Sequence, residues 1–405
     1  MISEVSGSFN LNIAQLSFKE VTEVLFSSSL DLNKAVAIWR SPESSCFQLV
    51  ADLSSGISRV KVDLEKSAPG FVVSPFINME NRESLFINSH ILYSSESHAL
   101  SYAENIPDQE KQDFLHKVRQ RMNKDKQAIH FKPEEPPVSK TSENNFNAIV
   151  EKAVGKIREG KFKKVVLARK KEISSRAPIN PLDLFFRLAE NYNNAFISLI
   201  SIPGSGVWVG ASPELLLSVD KKKIFRTSSL AGTQMYTNDL KLSDCVWTQK
   251  EIEEQALVSR YIINCFKAIR LREYEDEGPR TVRAGNLLHL RTDFLADMTK
   301  LGFPQLGTQM LDLLHPTSAV CGMPKEEAMK FILEEEKFDR ALFSGFLGPV
   351  NIDSESCIYV NLRCARLFYQ SAILYAGAGI TQDSDPEKEW METEMKMKTI
   401  GDFIE

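Results

Sequence analysis

Short apolar runs of strand length, following one another without helices between them, limit most strongly the folds open to this 405-residue chain. Near the C-terminus such runs occupy residues 343–350, 356–368 and 372–380. Consecutive strands joined by short turns pair antiparallel, because parallel pairing needs a long crossover connection. The pattern therefore predicts antiparallel sheets rather than a regular alternation of strands and helices.

Helical periodicity occurs at places that could cover such sheets. The segment NFNAIVEKAVGKIREG, from residue 145, puts its apolar side chains on one side and ends at Gly160. A long helix is predicted over residues 248–269, and an amphipathic helix over about 386–404. We therefore predict an α+β fold, in which large, mostly antiparallel β-sheets are flanked by helices.

The composition changes clearly at one place along the chain. The stretch HFKPEEPPVSKTSENN, residues 130–145, combines three prolines with charged and polar side chains, as linkers do. We predict an N-terminal lobe over residues 1–131, a linker over 132–144 and a larger domain over 145–405. The lobe shows no pattern of catalytic or metal-binding residues, and we expect it to pack on the larger domain.

Charge and cysteine usage exclude several classes of partner. The net charge is −5 and no basic tract occurs, so we expect no binding to nucleic acid. The six cysteines are scattered without a CxxC pair, which is typical of a reducing compartment. Since we find neither a signal peptide nor an apolar run near the ~18 residues that span a membrane, we expect a soluble cytoplasmic monomer.

Two charged residues stand inside apolar strand segments. Lys164 alternates with Phe162, Val166 and Ala168, and Glu214 lies within VWVGASPELLLSV. Burial disfavours the charged form of such groups, so the lysine is a candidate general base and the carboxyl a candidate general acid. The alternatives are a lysine that extends to solvent at a sheet edge and a glutamate paired with an arginine.

Acidic residues on two of the predicted helices could hold a divalent cation. Glu254 belongs to the long helix. Glu389, Glu392 and Lys396 share one face of the C-terminal helix, because they are three and four residues apart. Two carboxylates from separate helices suit Mg²⁺, which takes few protein oxygens and completes its shell with water and substrate. Solvated helix faces are the alternative, with Glu254 beside Lys250.

Other polar residues and glycines interrupt the apolar strands. His289 in LLHLRT could be catalytic or structural, and Arg363 in IYVNLRCARL needs an anionic partner, either a substrate carboxylate or a buried acid. Gly377 in LYAGAGI permits close approach of a ligand to the backbone. The segment SSLAGTQ, with Gly232 and Thr233, can present backbone N–H groups to an anion.

Taken together, these segments resemble the chorismate-utilising enzymes, which include isochorismate, salicylate, anthranilate and aminodeoxychorismate synthases. The matching stretches follow the order of the family over residues 145–405, which would form one chorismate-binding catalytic domain. They are KKVVLAR, GASPELLL, LAGT, KEIEEQ, LLHLRT, LLHPTSAVCGMPK, NLRCARL, YAGAGI and DPEKEWMETEMK.

The resemblance implies a role for each of the residues singled out above. Lys164 matches the general base of the family and Glu214 its general acid. Glu254 and Glu392 match the ligands of a Mg²⁺ ion, with Glu389 nearby through water. Contacts to the substrate chorismate are implied for Gly232, Thr233, His289, Arg363, Gly377 and Lys396.

The segment around residues 315–324 indicates the nucleophile. HPTSAVCGMP resembles the HPTPA stretch of isochorismate synthases, whereas members that use ammonia carry a stretch resembling GSxxGAPK. The resemblance therefore implies that water attacks, that Ala319 and Val320 shape the water side of the ring, and that isochorismate forms. Isochorismate is a precursor of both menaquinone and catecholate siderophores.

Three alternatives share most of these motifs. They are a salicylate synthase, an anthranilate synthase-type large subunit, and a catalytically inactive chorismate-binding protein. One departure from the family lies beside the implied metal site, where Gln255 stands in place of the usual histidine.

Overall fold

Two large antiparallel β-sheets form the frame of the protein. The computed structural model describes residues 13, 15–77, 83–104, 106–123, 141–236, 242–284 and 287–404. Helices cover the outer faces of both sheets, and their apolar side chains join the cores there. The predicted α+β architecture of large antiparallel sheets with flanking helices is therefore confirmed.

Sheet A has ten strands within the described residues. With strands numbered in chain order, it runs from edge to edge as β15 (Gly322–Met323), β8 (Lys164–Ser174), β19 (Ser371–Ile380), β18 (Cys364–Leu367), β10 (Gly206–Ser212), β9 (Phe196–Ile202), β1 (Ala35–Arg40), β2 (Phe47–Asp52), β6 (Ile91–Ser94) and β7 (Ala99–Tyr102).

Sheet B has nine strands in the same part of the chain. It runs as β13 (Glu275–Ala284), β14 (Leu287–Asp297), β12 (Ile224–Met235), β11 (Leu215–Val219), β17 (Ser356–Val360), β16 (Phe346–Val350), β4 (Gly70–Ser74), β5 (Ser84–Asn88) and β3 (Ser58–Val60).

The N-terminal strands are built into both sheets. Strand β1 pairs with β9 in sheet A, and β4 pairs with β16 in sheet B, both antiparallel. The first hundred residues thus supply strands to the same sheets that the rest of the chain forms. Of the predicted linker over 132–144, residues 132–140 lie outside the described residues, and the predicted domain boundaries stay predictions.

Eight α-helices lie within the described residues. They are α1 (Phe18–Asp31), α2 (Asp108–Met122), α3 (Glu143–Arg158), α4 (Pro181–Asn191), α5 (Gln249–Ala268), α6 (Leu306–Leu314), α7 (Lys325–Glu335) and α8 (Pro386–Gly401). The helices predicted near residues 145, 248 and 386 correspond to α3, α5 and α8. None of the described helices is long and apolar enough to cross a membrane.

An apolar layer between the sheets holds them together. It joins Trp39 of sheet A to Phe71 of sheet B, and the rings of Phe196 and Tyr359 stack with centroids 4.1 Å apart. The alternate residues of β1, such as Ile38, face a second core beneath α1, α2 and α4. Because both faces of such strands are buried, they read in the sequence as continuous apolar runs.

Two segments cross from one sheet to the other, and they lie side by side. β10 continues through Pro213 and Glu214 into β11, and β17 continues through residues 361–363 into β18. The Val360 N–H donates to the Glu214 carbonyl at 3.0 Å. The prediction of one strand over 356–368 was wrong, because Arg363 adopts a left-handed φ of 47° where the chain changes sheets.

Candidate active site

Lys164 begins β8 and has its side chain inside the protein. The side chain is 5% exposed, and its ammonium donates a hydrogen bond to Glu254 Oε1 at 2.6 Å. Gly379 on the paired strand β19 makes room for it, since a Cβ there would lie 2.9 Å from Lys164 Cε. The ammonium therefore does not extend to bulk solvent at the sheet edge but pairs with a carboxylate from α5.

Glu214 lies on the crossover between β10 and β11 and has a strongly perturbed carboxyl group. Burial raises its pKa to about 7, although the positive charges of Lys164, Arg363 and Lys396 oppose the shift. A carboxyl with this pKa is about half protonated at neutral pH. It can therefore donate a proton there, as a general acid must.

Arg363 lies on the neighbouring crossover, between β17 and β18. Its backbone is held to β10, where the Ala211 N–H donates to the Arg363 carbonyl at 3.0 Å. Burial lowers the pKa of its guanidinium, and the carboxylates of Glu392 and Glu214 counteract this effect. A guanidinium stays charged in proteins, so Arg363 provides a fixed positive charge next to both acids.

Lys396 connects the C-terminal helix α8 to sheet A. Its Nζ donates to Glu392 Oε1 at 2.5 Å and to the Gly377 carbonyl at 2.8 Å. That carbonyl can accept because β18 pairs with β19 only as far as Leu374, so Gly377 lies beyond the pairing. The lysine thus occupies the gap that the departing strand leaves.

Glu254 and Glu392 bring two carboxylates together from α5 and α8. Burial raises the pKa of Glu392, and the charge of Glu254 raises it further. The charge and hydrogen bond of Lys396, together with the charge of Arg363, outweigh these effects and keep the pKa below its usual value. Each carboxylate is therefore close to the other and is paired with a lysine. Glu389, one turn earlier on α8, is buried.

This donor set fits Mg²⁺, because its members are carboxylates. Within the described residues no group of three or more His, Cys, Asp or Glu side chains has an arrangement that could hold a metal. Two carboxylates are nevertheless sufficient for an ion that keeps most of its waters and binds substrate oxygens.

His289 on β14 is buried and neutral. Burial lowers its pKa to about 4, and the charges of Arg363 and Lys396 lower it as well. Its Nδ1 lies 2.8 Å from the Gly232 carbonyl, which can accept a hydrogen bond from that nitrogen. Gly232 adopts φ 70° at an irregularity of β12, so the imidazole holds the bulged strand in place. Thr233 follows on β12, and its side chain lies outside the described residues.

Ala319 and Val320 lie in the loop between α6 and β15. The Ala319 N–H donates a hydrogen bond to Thr317 Oγ1 at 3.2 Å, and Ala319 is partly exposed. Val320 is buried in a core cluster that also contains Val165 and Leu167 of β8. The loop leads into β15, which pairs with β8 at Lys164, so the loop runs beside the strand that carries the candidate base.

The structure assembles most of the predicted residues in one place. Charge interactions connect Lys164, Glu214, Glu254, His289, Arg363, Glu392 and Lys396, which come from six different segments. Such a concentration of buried ionisable groups is typical of functional sites.

Sequence reasoning missed the part played by Gln255, which follows Glu254. Its buried amide Nε2 donates to Ser229 Oγ at 2.8 Å and to Thr292 Oγ1 at 3.1 Å. These bonds attach α5 to β12 and β14. The only signal in the sequence was that a glutamine replaces the histidine usual in the family.

Known proteins share this chain's sequence pattern and fold. A family model described as chorismate binding enzyme matches residues 62–405. Isochorismate synthase DhbC of Bacillus subtilis (strain 168) is 28% identical over 282 residues, 67% of this chain and 69% of that protein. Isochorismate synthase EntC of Escherichia coli (strain K12) is 30% identical over 263 residues, 64% of this chain and 66% of that one.

The solved structure of MenF, the menaquinone-specific isochorismate synthase of Escherichia coli, has the same fold. It superposes with a TM-score of 0.74 at 21% identity and covers 94% of this chain and 91% of its own. The sequence alignments span about two thirds of the two relatives, whereas the structural match spans nearly the whole of both chains.

Proposed function

This chain belongs to the family of chorismate binding enzymes, and from that premise we propose that it is an isomerase that converts chorismate into isochorismate. Relatives that align with about two thirds of the chain carry that activity in their names. The observation that carries the proposal is that a buried lysine, Lys164, lies close enough to a separate, protonatable carboxyl, that of Glu214, for its charge to act on that group.

The proposed reaction moves a hydroxyl group around the ring by adding one water and releasing another. In its uncharged form, Lys164 takes a proton from the attacking water, whose oxygen bonds to C2. The ring double bond shifts, and the C4 hydroxyl leaves as water after Glu214 protonates it. The pKa of about 7 suits Glu214 for this task, since the carboxyl must carry its proton at the operating pH.

Mg²⁺ is proposed as the cofactor, held by Glu254 and Glu392 with Glu389 nearby. When bound, it supplies a positive charge that orients and neutralises the ring carboxylate. Arg363 and Lys396 add two further positive charges close to Glu214 and Glu392, which suits a dicarboxylate substrate. Gly377 leaves space for the substrate to approach β19.

Product analysis by liquid chromatography tests the proposal. Purified protein with chorismate and Mg²⁺ is expected to form isochorismate, and EDTA is expected to stop the reaction. Salicylate with pyruvate would instead identify a salicylate synthase. Unchanged chorismate, with or without ammonia, would contradict catalysis by this chain.

Variants at neighbouring lysines sharpen the test. Lys164→Ala should lower kcat by on the order of 10²–10⁴-fold, because it removes the general base. Lys163→Ala is the matched control, since Lys163 is the adjacent residue and is exposed. An equal loss in both variants would contradict the role of Lys164.

A further inference from the structure

A buried ion pair takes the place of a neighbouring strand along part of β8. Strand β15 pairs with β8 at Lys164 and Val165, and the Val166 N–H donates to the carbonyl of Cys321, just before β15, at 2.8 Å. Beyond them, the Val166 carbonyl accepts a hydrogen bond from Arg340 Nη2 at 2.8 Å. The Ala168 N–H donates to Glu336 Oε1 at 2.7 Å. Side chains thus satisfy the backbone groups that a longer β15 would have bound.

The two side chains are also held tightly to each other. Arg340 donates to both carboxylate oxygens of Glu336, at 2.7 and 2.6 Å. The exposed fractions are 2% for Arg340 and 4% for Glu336. The guanidinium lies 4.1 Å from the centre of the Phe76 ring, which shields it from water.

The same guanidinium also reaches the loop beside the site. Its Nη1 donates to the Val320 carbonyl at 2.9 Å. One planar group therefore joins the strand of Lys164 to the loop of Ala319 and Val320. The pair allows this loop to leave β8 while the backbone of β8 stays hydrogen-bonded.

We propose that Glu336 and Arg340 are positioning residues that set the distance between Lys164 and the loop at Ala319 and Val320. This role rests on the proposed function, in which water attacks between the base and this loop. Stability alone does not explain the pair, because well-packed apolar residues are often as stable as a buried ion pair. Its bonds to the backbone on both sides define a geometry that apolar side chains do not define.

Arg340→Lys is the variant that tests the role. It keeps the positive charge but loses the planar guanidinium, whose several N–H donors bond to Val166, Val320 and Glu336 at the same time. Because small displacements of a catalytic group can cost on the order of 10²-fold, we expect kcat to fall by 10- to 100-fold. The KM for chorismate should change by less than about threefold, the pattern of a lost transition-state interaction.

Arg40→Lys is the matched control for a structural effect. Arg40 is also 2% exposed, lies on β1 of the same sheet, and donates to the backbone carbonyls of Tyr192 and Ala195. Four strands separate β1 from β8. We expect this variant to lose a similar amount of thermal stability and to keep its kcat within about twofold.

Glu336→Gln provides a second test if Arg340→Lys does not fold. The amide oxygen still accepts from the Ala168 N–H, so we expect kcat to fall by more than about twofold and less than about tenfold relative to the wild type. A kcat within about twofold of the wild type would contradict the positioning role. Hydrogen exchange at the Ala168 amide should rise in Arg340→Lys and stay near the wild-type rate in Glu336→Gln.

Two results would overturn the inference in different ways. If the wild-type protein is active and kcat changes equally in Arg340→Lys and Arg40→Lys, the Glu336–Arg340 ion pair has only a structural role. Absence of isochorismate from the wild-type reaction would overturn the proposed function and with it this positioning role.

Discussion

At the scale of single residues, burial shifts the pKa values of two site residues in opposite directions. Glu214 is removed from water at a crossover between sheets, and burial raises its pKa to about 7 despite three nearby positive charges. Burial lowers the pKa of His289, and the hydrogen bond to Gly232 offsets only part of this shift. The imidazole is therefore neutral. Glu214 is thus the acid whose titration falls within the range of pH at which the enzyme can be assayed.

The pH dependence of the rate follows from this pKa. If Glu214 is the general acid, it must be protonated, so kcat/KM should decline as pH rises above about 7, by tenfold per pH unit at the limit. Glu214→Gln should lose on the order of 10²–10⁴-fold in kcat and show no such decline. Steady-state kinetics from pH 5.5 to 9 would measure it. A decline of the same shape in the variant would assign the pKa to another group.

At the scale of secondary-structure elements, helices α5 and α8 hold the carboxylates of Glu254 and Glu392 in position. The first turns of α5 carry Glu254, and the Gln255 amide fixes them to Ser229 and Thr292. On α8 the buried stripe of Thr393, Met397 and Ile400 packs on sheet A and turns Glu392 towards Lys396. The position of each carboxylate is therefore set by contacts of its neighbours in the helix.

Loss of the Gln255 anchor should weaken the proposed metal site. In Gln255→Leu, α5 loses its bonds to β12 and β14, and Glu254 loses its fixed position. Residues behind metal ligands typically contribute 10- to 100-fold to metal affinity, so the Kd for Mg²⁺ should rise by about tenfold or more. Calorimetric titration with Mg²⁺ would measure it.

Gln249→Leu serves as the control for this change, because Gln249 is exposed on the same helix and bonds only to Glu253 within the described residues. Equal Mg²⁺ affinity in both variants would contradict an anchoring role.

At the scale of the whole molecule, the site lies where two segments of the chain cross from one sheet to the other. The charged groups buried there change the free energy of unfolding with pH. The folded state keeps a proton on Glu214 up to about pH 7, whereas the unfolded chain releases it near its ordinary pKa of 4.5. The unfolded state therefore binds fewer protons in this interval, and the contribution of Glu214 to stability falls as pH rises from about 4.5 to 7.

Glu214→Gln should therefore stabilise the protein under neutral and alkaline conditions. The free energy of unfolding at pH 8 should exceed that of the wild type by about 2–3 kcal/mol, since the variant has no carboxylate to bury. At pH 5 the gain should be below about 1 kcal/mol. Urea unfolding at both pH values measures it, with Glu387→Gln, an exposed position on α8, as control. A gain that does not depend on pH would contradict the argument.

The sequence by itself determined the class of fold and the family, which are confirmed, as well as the residues that carry unusual chemistry. Period-two and helical patterns are local, so they could be recognised segment by segment, and charges such as Lys164 and Arg363 stood out inside apolar strands. The roles assigned to these residues remain predictions that the experiments above address.

Only the tertiary structure decided how these residues meet. The crossovers at Glu214 and Arg363, the sharing of both sheets by the N-terminal strands, and the Glu336–Arg340 pair join positions far apart in the chain. No local pattern encodes them, because each depends on which strands pair and where they part.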